Sequence, residues 1–322
     1  MASIFFIIPM EKEKELNDMR YYYFLLLLLT SLLWGGNFIV GKTLTNHASP
    51  TTLTSLRWII AIVFLGPIVF WTEKKILPHR KAIIPLILMG VTGVVLFQIL
   101  QFMSLEKTSA INVGLISTLN MLSIAIFSFI FLKEKINILQ LFSIFFSIFG
   151  VILVLSKGNF HFLFSLQFNI GDLYMLGAVC VWGLYSVCSK WAMQSVSPMM
   201  STLYSGIFGL LILLPFNISN FRVIHLDSSF IKSILYTGII STVVCMVLWN
   251  IGVQKLGTNT SGLFLNFNPI FTAILAFIIL GEKMTWIQGI GSTIVIVGCY
   301  LFSYFKTKSV FNTISNESEM QI

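Results

Sequence analysis

Ten runs of predominantly apolar residues alternate with short polar breaks along this chain, at 21–41, 52–71, 83–103, 110–131, 138–156, 173–192, 200–217, 231–251, 259–280 and 286–305. Each is close to the roughly 20 residues that an α-helix needs to cross the hydrocarbon core of a bilayer. The breaks carry helix-stop and helix-start chemistry, as in Asn46-His47-Ala48-Ser49-Pro50, Glu73-Lys74-Lys75, Lys133-Glu134-Lys135 and Ser195-Val196-Ser197-Pro198. Ser49-Pro50 and Ser197-Pro198 each read as a capping hydroxyl followed by proline in the first helical turn, where its missing N–H removes no bond. The pattern predicts an all-α integral membrane protein with ten transmembrane helices.

Composition removes the soluble alternative. Of 322 residues, 57% are hydrophobic and 10% charged, with a mean hydropathy of +0.91. A soluble domain carries near 25% charged residues, and its interior grows too slowly with mass to hide this much apolar surface. Lipid must cover the excess.

The net charge of +8 does not imply a nucleic-acid partner, because the basic residues sit singly between apolar runs. They orient the chain instead. The N-terminal tail, alternate loops and the C-terminal tail hold 13 Lys and Arg, against 6 in the opposite loops. That excess places both termini in the cytoplasm of a multi-pass cell-membrane protein. Residues 1–20 read as a disordered cytoplasmic tail with Met1, Met10 and Met19 as candidate starts, and 306–322 as a second polar tail. No signal peptide is expected, since the charged run Glu11–Arg20 follows the short apolar stretch instead of preceding it. Cys180, Cys188, Cys245 and Cys299 form no CxxC. Cys180 and Cys188 would lie ~12 Å apart on one helix, too far for a disulfide.

The chain repeats itself at a fixed offset of 148 residues. Trp34-Gly35 matches Trp182-Gly183, Ser49-Pro50 matches Ser197-Pro198, and Pro67 matches Pro215. Asn120 matches Asn268, Glu134-Lys135 matches Glu282-Lys283, and Gln140 matches Gln288. Matches of Trp, Pro, Asn and Gln in one register mark a duplication. The units are 21–156 and 173–305, joined by a linker at 157–172. Five spans per unit is an odd number, so the second unit lies inverted relative to the first. Inverted repeats of this kind place a substrate site near the membrane midplane, where the units meet.

Leu33-Trp34-Gly35-Gly36-Asn37-Phe38 through Lys42, then Ser49-Pro50 and Leu56-Arg57, resemble the opening of an EamA-type transporter of the drug/metabolite transporter superfamily. Gly262-Leu263 through Asn268-Pro269, followed by Leu280-Gly281-Glu282-Lys283, is similar to that family's fourth-to-fifth helix signature. The resemblance covers both units, and it implies helices 5 and 10 at the periphery and small organic substrates such as amino acids, with drug-like compounds close behind. The first unit departs from the pattern, with Met121 in place of Pro269 and Lys133 in place of Gly281. The fourth span is therefore expected to be straighter than the ninth.

No enzyme constellation is visible. His47, His79, His161 and His225 lie in loops without metal spacing, and there is no phosphate-binding glycine motif. No cofactor or metal is expected, and a monomer is plausible. The chemistry lies in polar residues within the spans, each costly in lipid and so turned towards protein or water. These are Asn37, Gln98, Gln101, Asn112, Asn120, Asn250, Asn266 and Asn268. Two readings stay open for them: interhelical hydrogen bonding, or the lining of a substrate cavity. Pro269 should kink its helix by freeing the carbonyl of Leu265. The pairs Trp34-Gly35 and Trp182-Gly183 are assigned to helix packing, and Tyr185 and Trp249 to the cavity wall. Arg57 is the one charge deep in a span, either snorkelling to the nearer surface or facing the pathway. Glu134 and Glu282 stand at helix starts, where a carboxylate complements the dipole. All twelve acidic residues lie in tails, loops or span ends. The short four-helix multidrug exporters related to this superfamily carry a glutamate in their first helix, and this chain has none there. Facilitated exchange without proton coupling is the expectation.

Overall fold

The computed structural model describes residues 10–74, 77–133, 137–156, 169–218, 221–283 and 285–319. Among these described residues ten helices follow in order: α1 (Met10–Leu44), α2 (Pro50–Glu73), α3 (Arg80–Lys107), α4 (Ala110–Leu132), α5 (Ile138–Ser156), α6 (Ile170–Ala192), α7 (Pro198–Asn217), α8 (Ser228–Leu256), α9 (258–280) and α10 (Trp286–Glu319). Eight are long and apolar enough to cross a membrane. α5 and α10 carry shorter apolar stretches, Ile138–Ser147 and Trp286–Phe302. Helix extends into both tails where the sequence suggests disorder: α1 begins at Met10 and α10 runs to Glu319. At the first tail, Glu11, Lys12, Glu13, Lys14 and Glu15 place opposite charges three apart, which supports helix.

The expected caps are in place. Ser49 Oγ accepts from Thr52 N–H at 3.3 Å and Ser197 Oγ from Met200 N–H at 3.1 Å, with Pro50 and Pro198 opening their helices. Lys133 and Gly281, mates in the repeat, both end their helices in the left-handed region, at φ 54° and 66°. The departure at Lys133 therefore changes the residue and not the backbone. Glu282 does serve a helix dipole, but not that of the helix it precedes. Its two oxygens accept the N–H groups of Ala110 and Ile111, at 3.2 and 3.1 Å, at the start of α4. Glu134 lies outside the described residues.

Each helix packs mainly on helices of the other repeat, and the pairs obey the repeat. α3 packs on α6 as α8 packs on α1; α4 packs on α6 as α9 packs on α1; α3 packs on α7 as α8 packs on α2. α2 meets its own mate α7, and α5 meets α10 at the margin. Glycines set these approaches, because only they let backbones come close. A Cβ on Gly90 would stand 2.7 Å from the backbone N of Gly209, and one on Gly35 would stand 2.8 Å from Phe271 Cβ. Facing outward are Phe129, Phe131, Phe142, Phe145, Phe277 and Ile279, exposed apolar side chains of the kind a bilayer covers.

Four helices are interrupted, in mate pairs. α3 carries a π-helical stretch at Gly90–Leu96 and α8 one at Tyr236–Val244. α4 tightens into a 3-10 turn at Ser117–Leu119, and α9 does so at Leu265–Phe267, at the same 148-residue offset. The expectation that α4 is the straighter helix is thus corrected. Two chemistries produce one break. In α9 the proline removes the regular bond to Leu265, whose carbonyl accepts instead from Asn268 N–H. In α4 the Ser117 and Thr118 hydroxyls bond back to the carbonyls of Gly114 and Leu115, at 2.6 and 2.7 Å, and compete with the helical ladder.

The loop between α1 and α2 is tied to the loop before α8. Ile224 N–H donates to His47 O at 2.8 Å, Ala48 bridges Val223, and His47 Nε2 lies 3.5 Å from Asp227. The Asp227 carboxyl is held below its usual range, first by the Phe230 N–H it accepts and then by His47.

The glycine contacts make a direct prediction. Gly90→Ala should lower thermal stability in detergent by on the order of 1–3 kcal/mol through overpacking. Gly177→Ala, whose Cβ would meet Leu100 at an ordinary 3.5 Å, should raise it by about 0.5–1 kcal/mol through helix propensity. Equal unfolding midpoints for the two variants would refute the close-approach reading.

Candidate functional site

A small cavity of about 30 Å³ lies where the interrupted helices converge. α1 supplies Trp34, Asn37 and Phe38, α2 supplies Arg57, and α3 supplies Phe97, Gln98 and Gln101. Asn120 comes from α4, Trp182 from α6, Met246 from α8, and Leu265 and Asn268 from α9. That space is far below the volume of a small-molecule site, so the repeats must part to admit a solute, but the mix of aromatic wall and few polar groups is of the kind such sites have.

Arg57 does not snorkel. It is 2% exposed, and its guanidinium is held by three neutral acceptors. Nη1 donates to Gln98 Oε1 at 2.8 Å, Nη2 to Ser241 Oγ at 2.8 Å, and Nε to Thr242 Oγ1. Ser241 and Thr242 lie in the π-helical stretch of α8, and the Ser241 carbonyl also accepts the Trp34 Nε1–H at 3.0 Å. Among the described residues, the side-chain ion pair found is His47–Asp227, away from this cavity. Arg57 thus stands in the wall without a carboxylate partner.

The polar residues of the spans divide into three groups. Asn37, Asn120 and Asn268 line the cavity, and their Oδ1 atoms are buried with no hydrogen-bond partner. Gln98 and Gln101, one turn apart on α3, face the same space. Asn250 lies behind the wall: its Oδ1 accepts from Ser189 Oγ at 2.7 Å and Tyr185 Oη at 3.3 Å, and its Nδ2 donates to Thr202 at 2.9 Å. Asn266 is turned away, its Nδ2 at 3.7 Å from Met121 Sδ. Asn112 belongs to a corner network with Thr108, Asp172 and Gln288.

The Trp-Gly pairs divide their work. Gly35 packs on Phe271 and Thr272, and Gly183 packs on Ser123, while both indoles face the cavity. Trp34 and Trp182 meet edge to face at 5.4 Å. Tyr185 and Trp249 are fully buried one layer back, at 4.9 and 5.7 Å from Trp182. Pro269 opens the lower segment of α9 and so sets the position of Asn268 beside the cavity. Sequence reading missed Ser241 and Thr242, although two adjacent hydroxyls in an apolar run were a visible signal. Phe38, Phe97, Met246 and Leu265 gave none, being indistinguishable from core.

A helical membrane bundle built from two repeats around one polar-aromatic cavity defines a transporter-like architecture. The EamA-like transporter family matches this sequence twice, over residues 22–156 and 169–304. The chain belongs to the EamA-like transporter family, a family of membrane transporters and not of enzymes. It is 30% identical over 273 residues to the uncharacterized transporter YyaM of Bacillus subtilis, covering 83% of this chain and 89% of that one. An uncharacterized transporter of Archaeoglobus fulgidus is 29% identical, covering 84% and 93%. A solved crystal structure shares the fold with a TM-score of 0.63 at 16% identity, over 88% of this chain and 97% of that chain.

Hydrogen bonding separates wall from scaffold. Asn250→Ala strands three buried partners and should cost on the order of 2 kcal/mol of stability. Asn120→Ala and Asn268→Ala remove oxygens that bond nothing, and should unfold within about 1 kcal/mol of the wild type. A thermal series in detergent in which all three fall together would place the cavity amides in the scaffold too.

Proposed function

We propose that this protein exports small metabolites of the amino-acid type across the cell membrane, by alternating access between its two repeats. Both of its termini lie in the cytoplasm. The observation that carries this reading is the make-up of the wall: Trp34 with Trp182 and Asn120 with Asn268 are mate residues of different repeats facing one space. Rocking one repeat against the other moves opposite walls of that space, which a fixed pore has no reason to do. The interrupted segments of α3, α4, α8 and α9 are where such motion is absorbed at least cost. Amides and a cation beside indole rings suit a small polar solute with an apolar side chain. The breadth of that aromatic surface also favours drug-like compounds as the second substrate class.

Coupling follows from the charge in the wall. Arg57 is always charged, and no carboxylate lies among the described lining residues, so that wall offers no acidic group to carry protons. Transport therefore runs down the substrate gradient or by exchange. Proteoliposomes preloaded with unlabelled amino acid should accumulate the labelled form transiently by counterflow. The flux should saturate and should not respond to an imposed proton gradient at clamped potential. Linear, non-saturating flux would identify a pore; uphill accumulation driven by protons would overturn the coupling and direct attention to Glu106, at the end of α3.

Orientation rests on the 13-to-6 bias of basic residues. Cysteines introduced at Lys75 and Lys133 should react with an impermeant maleimide only in inside-out vesicles. Labelling on intact cells would reverse the topology and, with it, the assignment of export.

A further inference from the structure

The repeat that built this protein is broken at part of its cavity, although Trp34 with Trp182 and Asn120 with Asn268 have stayed alike. Asn37, Gln98 and Gln101 of the first repeat have Tyr185, Met246 and Trp249 as their mates. Arg57 has Ser205, whose hydroxyl bonds back to its own helix at 3.0 Å. The hydroxyls that hold Arg57, Ser241 and Thr242, have Gly93 and Val94 as mates, and Tyr185 lies on Gly93 so closely that a Cβ there would stand 2.3 Å from its ring. The symmetry-related position is closed by small and apolar residues, Ser205 and Met246 of one repeat with Gly93 and Val94 of the other. A cation is therefore no requirement of the packing.

Resting on the substrate reading above, we propose that Arg57 is the carboxylate-recognition residue of the cavity. Its substrates are then amphipathic monocarboxylates, with the acid group on Arg57 and the apolar body against Trp182 and Met246. A guanidinium has five N–H donors. Gln98, Ser241 and Thr242 take three, one from each nitrogen. Two remain, one on each terminal nitrogen, for a carboxylate to accept. The three neutral acceptors fix the guanidinium without quenching its charge, and a buried cation without a counter-ion is costly until an anion arrives. A phosphate monoester would bring up to about two negative charges against this single cation, so the balance favours a monocarboxylate. The unpartnered Oδ1 atoms of Asn37, Asn120 and Asn268 accept hydrogen bonds, and supply the complementary place for an ammonium on the same molecule.

The test uses four probes with one apolar body: L-phenylalanine, 3-phenylpropionate, L-phenylalaninamide and phenethylamine, with phenyl phosphate as a fifth. Binding to the purified full-length protein is read by thermal shift, and exchange by proteoliposome counterflow. The two carboxylates should bind roughly 10- to 100-fold more tightly than the amide, the amine or the phosphate, as expected for one charge-assisted contact. Arg57→Gln should abolish that preference, and Arg57→Lys should keep the charge but only part of the affinity. The comparison of probes on wild-type protein needs no variant, so a misfolded Arg57→Gln does not blunt it. Equal affinity for acid and amide, or preferential binding of phenyl phosphate, overturns the assignment while leaving the transport reading in place. If the folded protein neither binds nor exchanges any of the five, the amino-acid reading and the Arg57 assignment fall together.

Discussion

Every backbone polar group in a bilayer-spanning segment must find its partner inside the protein, because lipid offers none. That constraint governs the whole structure, for this protein breaks four of its helices within their spans and still satisfies the freed groups locally. In α9 the carbonyl released by Pro269 is taken by Asn268 N–H. In α8 Thr242 Oγ1 donates to Thr237 O at 2.7 Å across the widened π turn. Thr242 then accepts from Arg57, so a backbone repair becomes part of the site. Interruption and cavity are one feature: the turns that lose regular bonding are those that bring side chains to the centre.

Interdigitated repeats make such breaks affordable. Because α1 packs on α8 and α9, and α6 on α3 and α4, each irregular segment is flanked by a regular helix of the opposite repeat. Close approach at Gly35, Gly90 and Gly209 supplies the van der Waals contact that drives helix association when no hydrophobic effect operates between helices. The regular helices α1, α2, α6 and α7 form a frame, and the interrupted α3, α4, α8 and α9 cross it.

The sequence revealed the frame well and the centre unevenly. Runs of about twenty apolar residues have a direct physical cause in bilayer thickness, so span positions were legible, and so was a duplication written in Trp, Pro and Asn. Asn37, Asn120 and Asn268 were legible as wall candidates because a polar residue in an apolar run is conspicuous. Which polar residue faces the cavity was not legible from spacing. A π-helical stretch adds a residue to a turn and rotates everything after it, so no 3.6-residue period carries across Gly90–Leu96 or Tyr236–Val244. That rotation lies upstream of Trp249 and Asn250, which fall behind the wall. The break in α4 was hidden for a different reason: proline announces a break, whereas Ser117 and Thr118 cause one through hydrogen bonds that leave no mark in a hydropathy profile.

Duplication and divergence then explain why the cavity is not symmetric. A two-fold axis requires nothing of the residues that face a solute, since a solute has no such axis. Pairs that serve the axis have stayed alike, as Trp34 with Trp182 and Asn120 with Asn268. Pairs that face one end of the cavity have separated, as Arg57 from Ser205 and Gln98 from Met246. Packing explains the smaller or apolar member of each separated pair, and polar cost explains why its partner cannot be incidental. Placing a guanidinium, two glutamines and an asparagine in a membrane interior is unfavourable unless they meet something. Three neutral acceptors meet only part of what Arg57 offers, and the Oδ1 atoms of Asn37, Asn120 and Asn268 in the same wall meet nothing in the protein. On the proposed reading, the free energy left uncompensated at one pole of the cavity is a binding energy held for a solute of opposite character.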